Sequence, residues 1–113
     1  TQNDKKNENE QPGIFERAAT TNDINFDYSI EVLNLSVKIY VIPKVDINNL
    51  SLEINFYDAD HNKLKTLIKT LGNIEKGIRT EFTVSLTEFS FSEILKINYL
   101  SCSVKSGTVS IFS

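Results

Sequence analysis

Apolar and polar residues alternate with a period of two along most of this chain, and the exceptions mark its boundaries. Residues 1–13 (TQNDKKNENEQPG) contain no aliphatic residue beyond proline and no aromatic or sulfur-bearing residue, and end in Pro12-Gly13. Such a segment has too little apolar surface to offset the entropy of ordering it. It reads as a polar, flexible tether, expected to run through residue 25, with the domain over 26–113. Within that span, Ile14 and Phe15 either dock on the domain or continue the linker.

From Phe26 the alternation becomes regular. Phe26, Tyr28, Ile30 and Val32 share one parity, and the apolar phase then shifts by one to Leu33, Leu35, Val37, Ile39 and Val41. A one-residue slip moves side chains to the other face of a sheet, so a turn or bulge is expected near Leu33-Asn34; one long bent strand is the alternative. Pro43, lacking an N–H, ends the strand. The clearest strand is Asn49 to Asp58, with Leu50, Leu52, Ile54 and Phe56 on one face and Ser51, Glu53, Asn55 and Tyr57 on the other. Asp58-Ala59-Asp60-His61-Asn62-Lys63 has the chemistry of a turn. A further strand follows over Leu64 to Leu71, then a loop bracketed by Gly72 and Gly77, then a strand from Thr80 to Leu86 with Phe82, Val84 and Leu86 inward. Residues 87–93 suggest a short helical turn. Leu95, Ile97 and Tyr99 differ in parity from Leu100, Cys102 and Val104, which predicts a bulge near Tyr99-Leu100. Ser106-Gly107 is expected to turn the chain into a last strand, Thr108 to Phe112. About seven short strands without a long helix predict an all-β, immunoglobulin-like antiparallel sandwich.

Composition agrees with this class. Thirteen Ile, seven Val and nine Thr stand against three Ala, and β-branched side chains fit a pleated surface better than a helix. At 113 residues the chain makes one domain, and a net charge of −3 lacks the basic footprint of a nucleic-acid binder. Ile39-Tyr40-Val41-Ile42 is among the longest apolar runs, far below a membrane span. Cys102 is the only cysteine, so no intradomain disulfide forms. In an alternating strand it reads as a small core residue. Thr1 is not a translation start, so either a leader has been removed or the sequence is a trimmed piece.

The stretch Ile54-Asn55-Phe56-Tyr57-Asp58 resembles the signature of the FxLYD domains, small β-sandwich modules of bacterial extracytoplasmic proteins and lipoproteins. Ile54 stands for the first Phe and Phe56 for Leu, while Tyr57 and Asp58 match. Asp60-His61-Asn62-Lys63-Leu64 is similar to the family's Asp-Gly hairpin, with His61 in the glycine position. Leu71 to Phe82 resembles its "L-x-P-G … F" loop, with Lys76 for Pro and Gly77 kept. The resemblance covers roughly residues 33–104, and a secreted telokin-like sandwich would look similar over the same span. It implies no catalytic residues.

The candidate metal ligands are Asp58, Asp60 and His61, with Asn62 completing an Asp-x-Asp-x-Asn spacing. A calcium loop would next need Gly and later Glu, where this chain has Lys63 and Lys69. His61 is the only histidine, and its place in a turn suits a residue tolerating positive φ. No nucleophile–His–acid set, CxxC, HExxH or phosphate loop is present. Asn34-Leu35-Ser36 and Asn49-Leu50-Ser51 are sequons that twelve Asn make expected by chance. Phe89, Phe91, Ile94 and Leu95 form either a lid over the sandwich or an exposed recognition patch. The expectation is therefore a non-catalytic extracytoplasmic module without cofactor or metal, cell-surface anchored or secreted, for presentation or protein–protein contact. A protein partner is expected, with no nucleic acid, membrane contact only through an upstream anchor, and a monomer or weak edge-strand dimer. The alternative is a small-ligand or metal-binding protein using the Asp58–Asn62 hairpin.

Overall fold

Because side chains alternate across a strand, the Leu50-Leu52-Ile54-Phe56 row needs a second layer to cover it. The computed structural model describes residues 15–111 and supplies that layer. Seven antiparallel strands form two facing sheets: β1 (Glu16–Ala18), β2 (Ile24–Glu31), β3 (Ser36–Pro43), β4 (Ile47–Tyr57), β5 (Lys63–Ile74), β6 (Thr80–Ser85) and β7 (Tyr99–Ser110). One sheet has the order β1-β7-β4-β5, the other β2-β3-β6. A short helix, α1 (Phe91–Lys96), links β6 to β7. The inward rows of the central strands, Leu50, Leu52, Ile54 and Phe56 on β4 and Val37, Ile39 and Val41 on β3, are wholly buried.

The phase shift at residue 33 is a hairpin. Phe26 lies opposite Val41, Tyr28 opposite Ile39 and Ile30 opposite Val37. Partners across a ladder share a face, so both apolar phases reach one core. A 3-10 turn over Val32–Asn34 and Leu35 in the left-handed conformation (φ 51°) make the reversal without glycine. Leu33 and Leu35, expected on the inward row, are turn residues and exposed.

Three further expectations change. The domain begins before Phe26: β1 pairs with the end of β7, and Ala19 and Ile24 are buried. Phe15 thus enters the domain, and residues 15–25 are not part of the tether expected over 1–25; residues 1–14 lie outside the described residues. Second, the parity change at Tyr99-Leu100 is no bulge. Leu95 belongs to α1 and Ile97 closes it, so their spacing is not that of a strand, and Tyr57↔Tyr99 and Phe56↔Leu100 pair in register. Third, Ser106-Gly107 does not reverse the chain. β7 continues to Ser110, and the register against β4 slips there instead. Gly107 (φ 149°) permits the slip: a Cβ on it would meet Ile47 Cγ2 at 3.1 Å. Gly72 (φ 77°) likewise sits in a bulge within β5, whereas Gly77 makes the expected turn. Phe112 lies outside the described residues.

β1 is held by an ion pair that links the chain's entry to the crossing between sheets. Arg17 Nη1 and Nη2 donate to Asp23 Oδ2 and Oδ1, both at 2.8 Å. The Thr20 amide donates to the same carboxylate at 2.8 Å. Asp23 is buried, and the Arg17 guanidinium beside it holds its carboxyl far below the usual carboxylate range. Asp23→Asn is expected to lower stability by about 1–2 kcal/mol at neutral pH. Because the folded carboxyl titrates below its unfolded value, this contribution is complete above the ordinary carboxylate range and is lost as pH falls towards the depressed folded value. Urea unfolding from neutral to acid pH checks it: the wild-type advantage should shrink below about pH 5, and a gap independent of pH would contradict the assignment.

Candidate recognition surface

β4 carries the chain out of the core at Tyr57 and delivers Asp58 to the turn that follows. Asp58 Oδ1 accepts from the Asp60 amide at 2.9 Å and the Asn62 amide at 2.8 Å, and its carbonyl accepts from the His61 amide at 3.1 Å. This is the Asx chemistry expected of the segment. The Asn62 amide is the main cause holding the Asp58 carboxyl below its ordinary range. His61 has φ 67°, so it occupies the slot a glycine would fill. Its Nδ1 lies 2.8 Å from the Tyr99 hydroxyl, and the Tyr99 ring stacks on Tyr57 at 4.9 Å.

That aromatic cluster is not legible in the chain, since it depends on β4 and β7 pairing Tyr57 with Tyr99. Asp58, Asp60 and His61 do share one turn. Yet Asp58 faces amides and the His61 ring faces a phenol, and no group of three or more His, Cys, Asp or Glu poised to hold a cation occurs among the described residues.

Across the same end, Ser90 caps α1: its Oγ accepts from the Glu93 amide at 3.1 Å while Glu93 Oε1 accepts from the Ser90 amide at 2.8 Å. This reciprocal box sits in the sequence as Ser90-x-x-Glu93. The Ser90 amide also holds the Glu93 carboxyl below its ordinary range. The aromatic segment then divides between both expected roles. Phe89 and Ile94 are buried, and Phe89 meets Phe56 edge-on at 4.9 Å. Phe91 and Leu95, one helical turn apart, remain 73% and 65% exposed.

These two residues have neighbours of the same kind. The Leu86 amide donates to the Leu35 carbonyl at 2.8 Å, which ties the β2–β3 turn to the segment leading into α1. Val32, Leu33 and Leu35 are exposed on that turn, Leu33 completely. One end of the sandwich thus presents five large apolar side chains from two adjacent connections. Beside them an open groove of about 430 Å³ is lined by Asp58, Asp60, Leu95, Lys96 and Asn98. The chain enters at the other end: β7 runs from Tyr99 down to Ser110 beside Glu16, and the Ile111 amide donates to the Phe15 carbonyl.

The remaining candidates make contacts within the fold. Cys102 pairs opposite Ile54, and burial pushes its thiol up to about 12. Asn34 donates to Glu31 Oε1 at 3.3 Å, and Asn49, at φ 56°, donates its amide to Asn73 Oδ1 at 3.0 Å.

His61→Gly should leave the unfolding midpoint within about 0.5 kcal/mol of wild type, since relieved backbone strain offsets the lost phenol contact. His61→Val should lose about 1–2 kcal/mol, because a β-branched side chain resists positive φ. Equal losses in the two variants would remove the backbone role. For Cys102, modification by a disulfide reagent near pH 8 should be about a thousandfold slower in the folded chain than in urea. Equal rates would show an open thiol. No protein-family model matches this chain, and neither a curated protein nor a solved structure matches it.

Proposed function

We propose that this chain is a non-catalytic, extracytoplasmic recognition module of FxLYD type, cell-surface anchored or secreted, whose α1 end contacts a protein partner. One observation carries the reading: Val32, Leu33, Leu35, Phe91 and Leu95 are exposed together at the end remote from Phe15, where residues 1–14 join. Exposed side chains of this size cost solubility unless something covers them. Their setting suits a protein partner, with apolar anchors at the centre and Asp60, Glu88, Glu93 and Lys96 as a polar rim. A tether entering at Phe15 would hold this end outward.

The FxLYD likeness is supported by the parts its residues play. Ile54 and Phe56 are wholly buried, Tyr57 turns outward to stack on Tyr99, and Asp58 orders the turn. The non-catalytic reading is supported by the occupation of the lone imidazole by a phenol and of Cys102 by the core. A photo-crosslinking residue placed at Leu33 or Phe91, in the cells that make this protein, should yield one covalent adduct of discrete mass in the envelope fraction. The same residue at Ile78, exposed on the β5–β6 loop at the other end, should not. Equal labelling from both ends, or none from Leu33 and Phe91, defeats the proposed interface, and recovery of the protein in the cytosol defeats the proposed address.

A further inference from the structure

A different surface points to a second copy of this chain. Each sheet has two edges, and three of the four edge strands are short or guarded. β1 has three residues and β6 has six. β5 is broken in register beside Gly72 and near Tyr57, and it turns Lys65 and Lys69 inward, over the rings of Phe89 and Phe82 at 5.2 and 5.7 Å. Inward lysines and bulges are ways of blunting an edge. The second of these lysines also posts a charge beside β6.

β2 has none of these protections. Its eight residues pair with β3 without a register break, and they include no proline, glycine or inward charge. Its inward residues Phe26, Tyr28 and Ile30 are only half-buried.

The free backbone groups of β2 can be assigned. The Lys44 amide donates to the Asp23 carbonyl at 2.7 Å, in the same register as the β2–β3 ladder. Odd-numbered residues of β2 therefore bond to β3, because hydrogen-bonded pairs alternate with open ones. Ile24 falls opposite Pro43, which has no N–H to give, and this agrees. The Tyr28 amide donates not to β3 but to the Asp27 carboxylate at 2.8 Å. The N–H and C=O groups of Phe26, Tyr28 and Ile30 consequently face the open edge.

We infer that β2 pairs antiparallel with β2 of a second copy, across a two-fold axis at Tyr28, joining two three-stranded sheets into one of six strands. In this register Tyr28 bonds to its own symmetry mate, and Phe26 lies opposite Ile30, so every pair using edge-facing groups is apolar on the inner face. On the outer face Asp27 meets Ser29 and Asn25 meets Glu31, so no like charges meet. Moving the axis to Asp27 sets that carboxylate against its own copy. Moving it to Ser29 sets Asp27 against Glu31 twice. Like charges directly opposite disfavour a pairing, so the sequence of β2 selects the Tyr28 axis. The Asp27 carboxylate leaves the Tyr28 amide when the second strand arrives.

The experiment uses the full chain and sedimentation velocity from micromolar to near-millimolar concentration. Wild type should show a monomer–dimer equilibrium. Ser29 is exposed on the outer face and lies opposite Asp27 of the copy in the proposed register alone. Ser29→Asp should therefore weaken association about tenfold and Ser29→Lys should strengthen it about tenfold, with two such pairs per dimer. Circular dichroism confirms that both variants fold. In a Cys102→Ser background, Tyr28→Cys should oxidise to a disulfide dimer and Asp27→Cys should not, since only a residue on the axis meets its own copy. A wild type that stays monomeric throughout overturns the inference. So does a dimer indifferent to the charge at residue 29, which would assign association to another surface such as the apolar end, or preferential cross-linking at residue 27.

Discussion

β4 is the constraint on which the rest of this molecule depends. Within the four-stranded sheet it is bonded on both sides over most of its length, to β5 and to β7, and its inward row from Leu50 to Phe56 has no contact with solvent. A slip of one residue would turn Leu50, Leu52, Ile54 and Phe56 to water and bring Ser51, Glu53 and Asn55 into the core. No compensating contact available to a domain of this size offsets that exchange, so the register is fixed by burial alone. Once it is set, Tyr57 must stand beside Tyr99, Asp58 must begin the turn, and Phe89 must find Phe56 beneath it.

The two ends of the sandwich inherit different tasks from this arrangement. At the entry end, the Arg17–Asp23 pair and the short β1 ladder join the incoming chain to the last strand. At the far end lies the longest connection, residues 86–98, in which the helix cap between Ser90 and Glu93 orders a segment that buries Phe89 and Ile94 while leaving Phe91 and Leu95 outside. A helix of under two turns has little stability of its own. Its cap and its two buried residues keep it in place, and the outward pair is carried along. The exposed pair at the apolar end is therefore carried on a segment anchored by a cap and two buried side chains.

The outer faces tell the same story from the polar side. On the sheet containing β4, Asn55 is buried yet satisfied: it accepts from Thr66 Oγ1 at 2.6 Å and donates to Glu53 Oε2 at 3.2 Å. On the other sheet Lys38 lies 3.9 Å from both Glu31 and Glu81, and Arg79 covers the Tyr40 ring at 4.1 Å. These polar and charged groups pair within their own faces, where Ile42 and Ile68 remain partly exposed. The exposed apolar side chains at the α1 end and the outer edge of β2 are the surfaces proposed to meet partners.

How much of this could be read from the chain follows from the range of each interaction. Period-two alternation, β-branched composition and Asp-Asn turn chemistry act within a few residues, so the all-β class, the β4 strand, the Asp58–Asn62 turn and the positive φ at His61 were legible directly. So was the single-domain size and the lack of a disulfide. Where local pattern failed, a distant partner had decided. Ile24 and Ala19 look like linker until β7 and the core bury them. Leu95 and Ile97 look like a strand until Ser90 and Glu93 close a helix around them. Ser106-Gly107 looks like a turn until β4 continues beside it. The proposed recognition surface lies on the same side of that divide. No spacing in the sequence brings Leu33 and Phe91 to one end or pairs Tyr57 with Tyr99, because both depend on strand register, and register is settled by the burial of the inward rows.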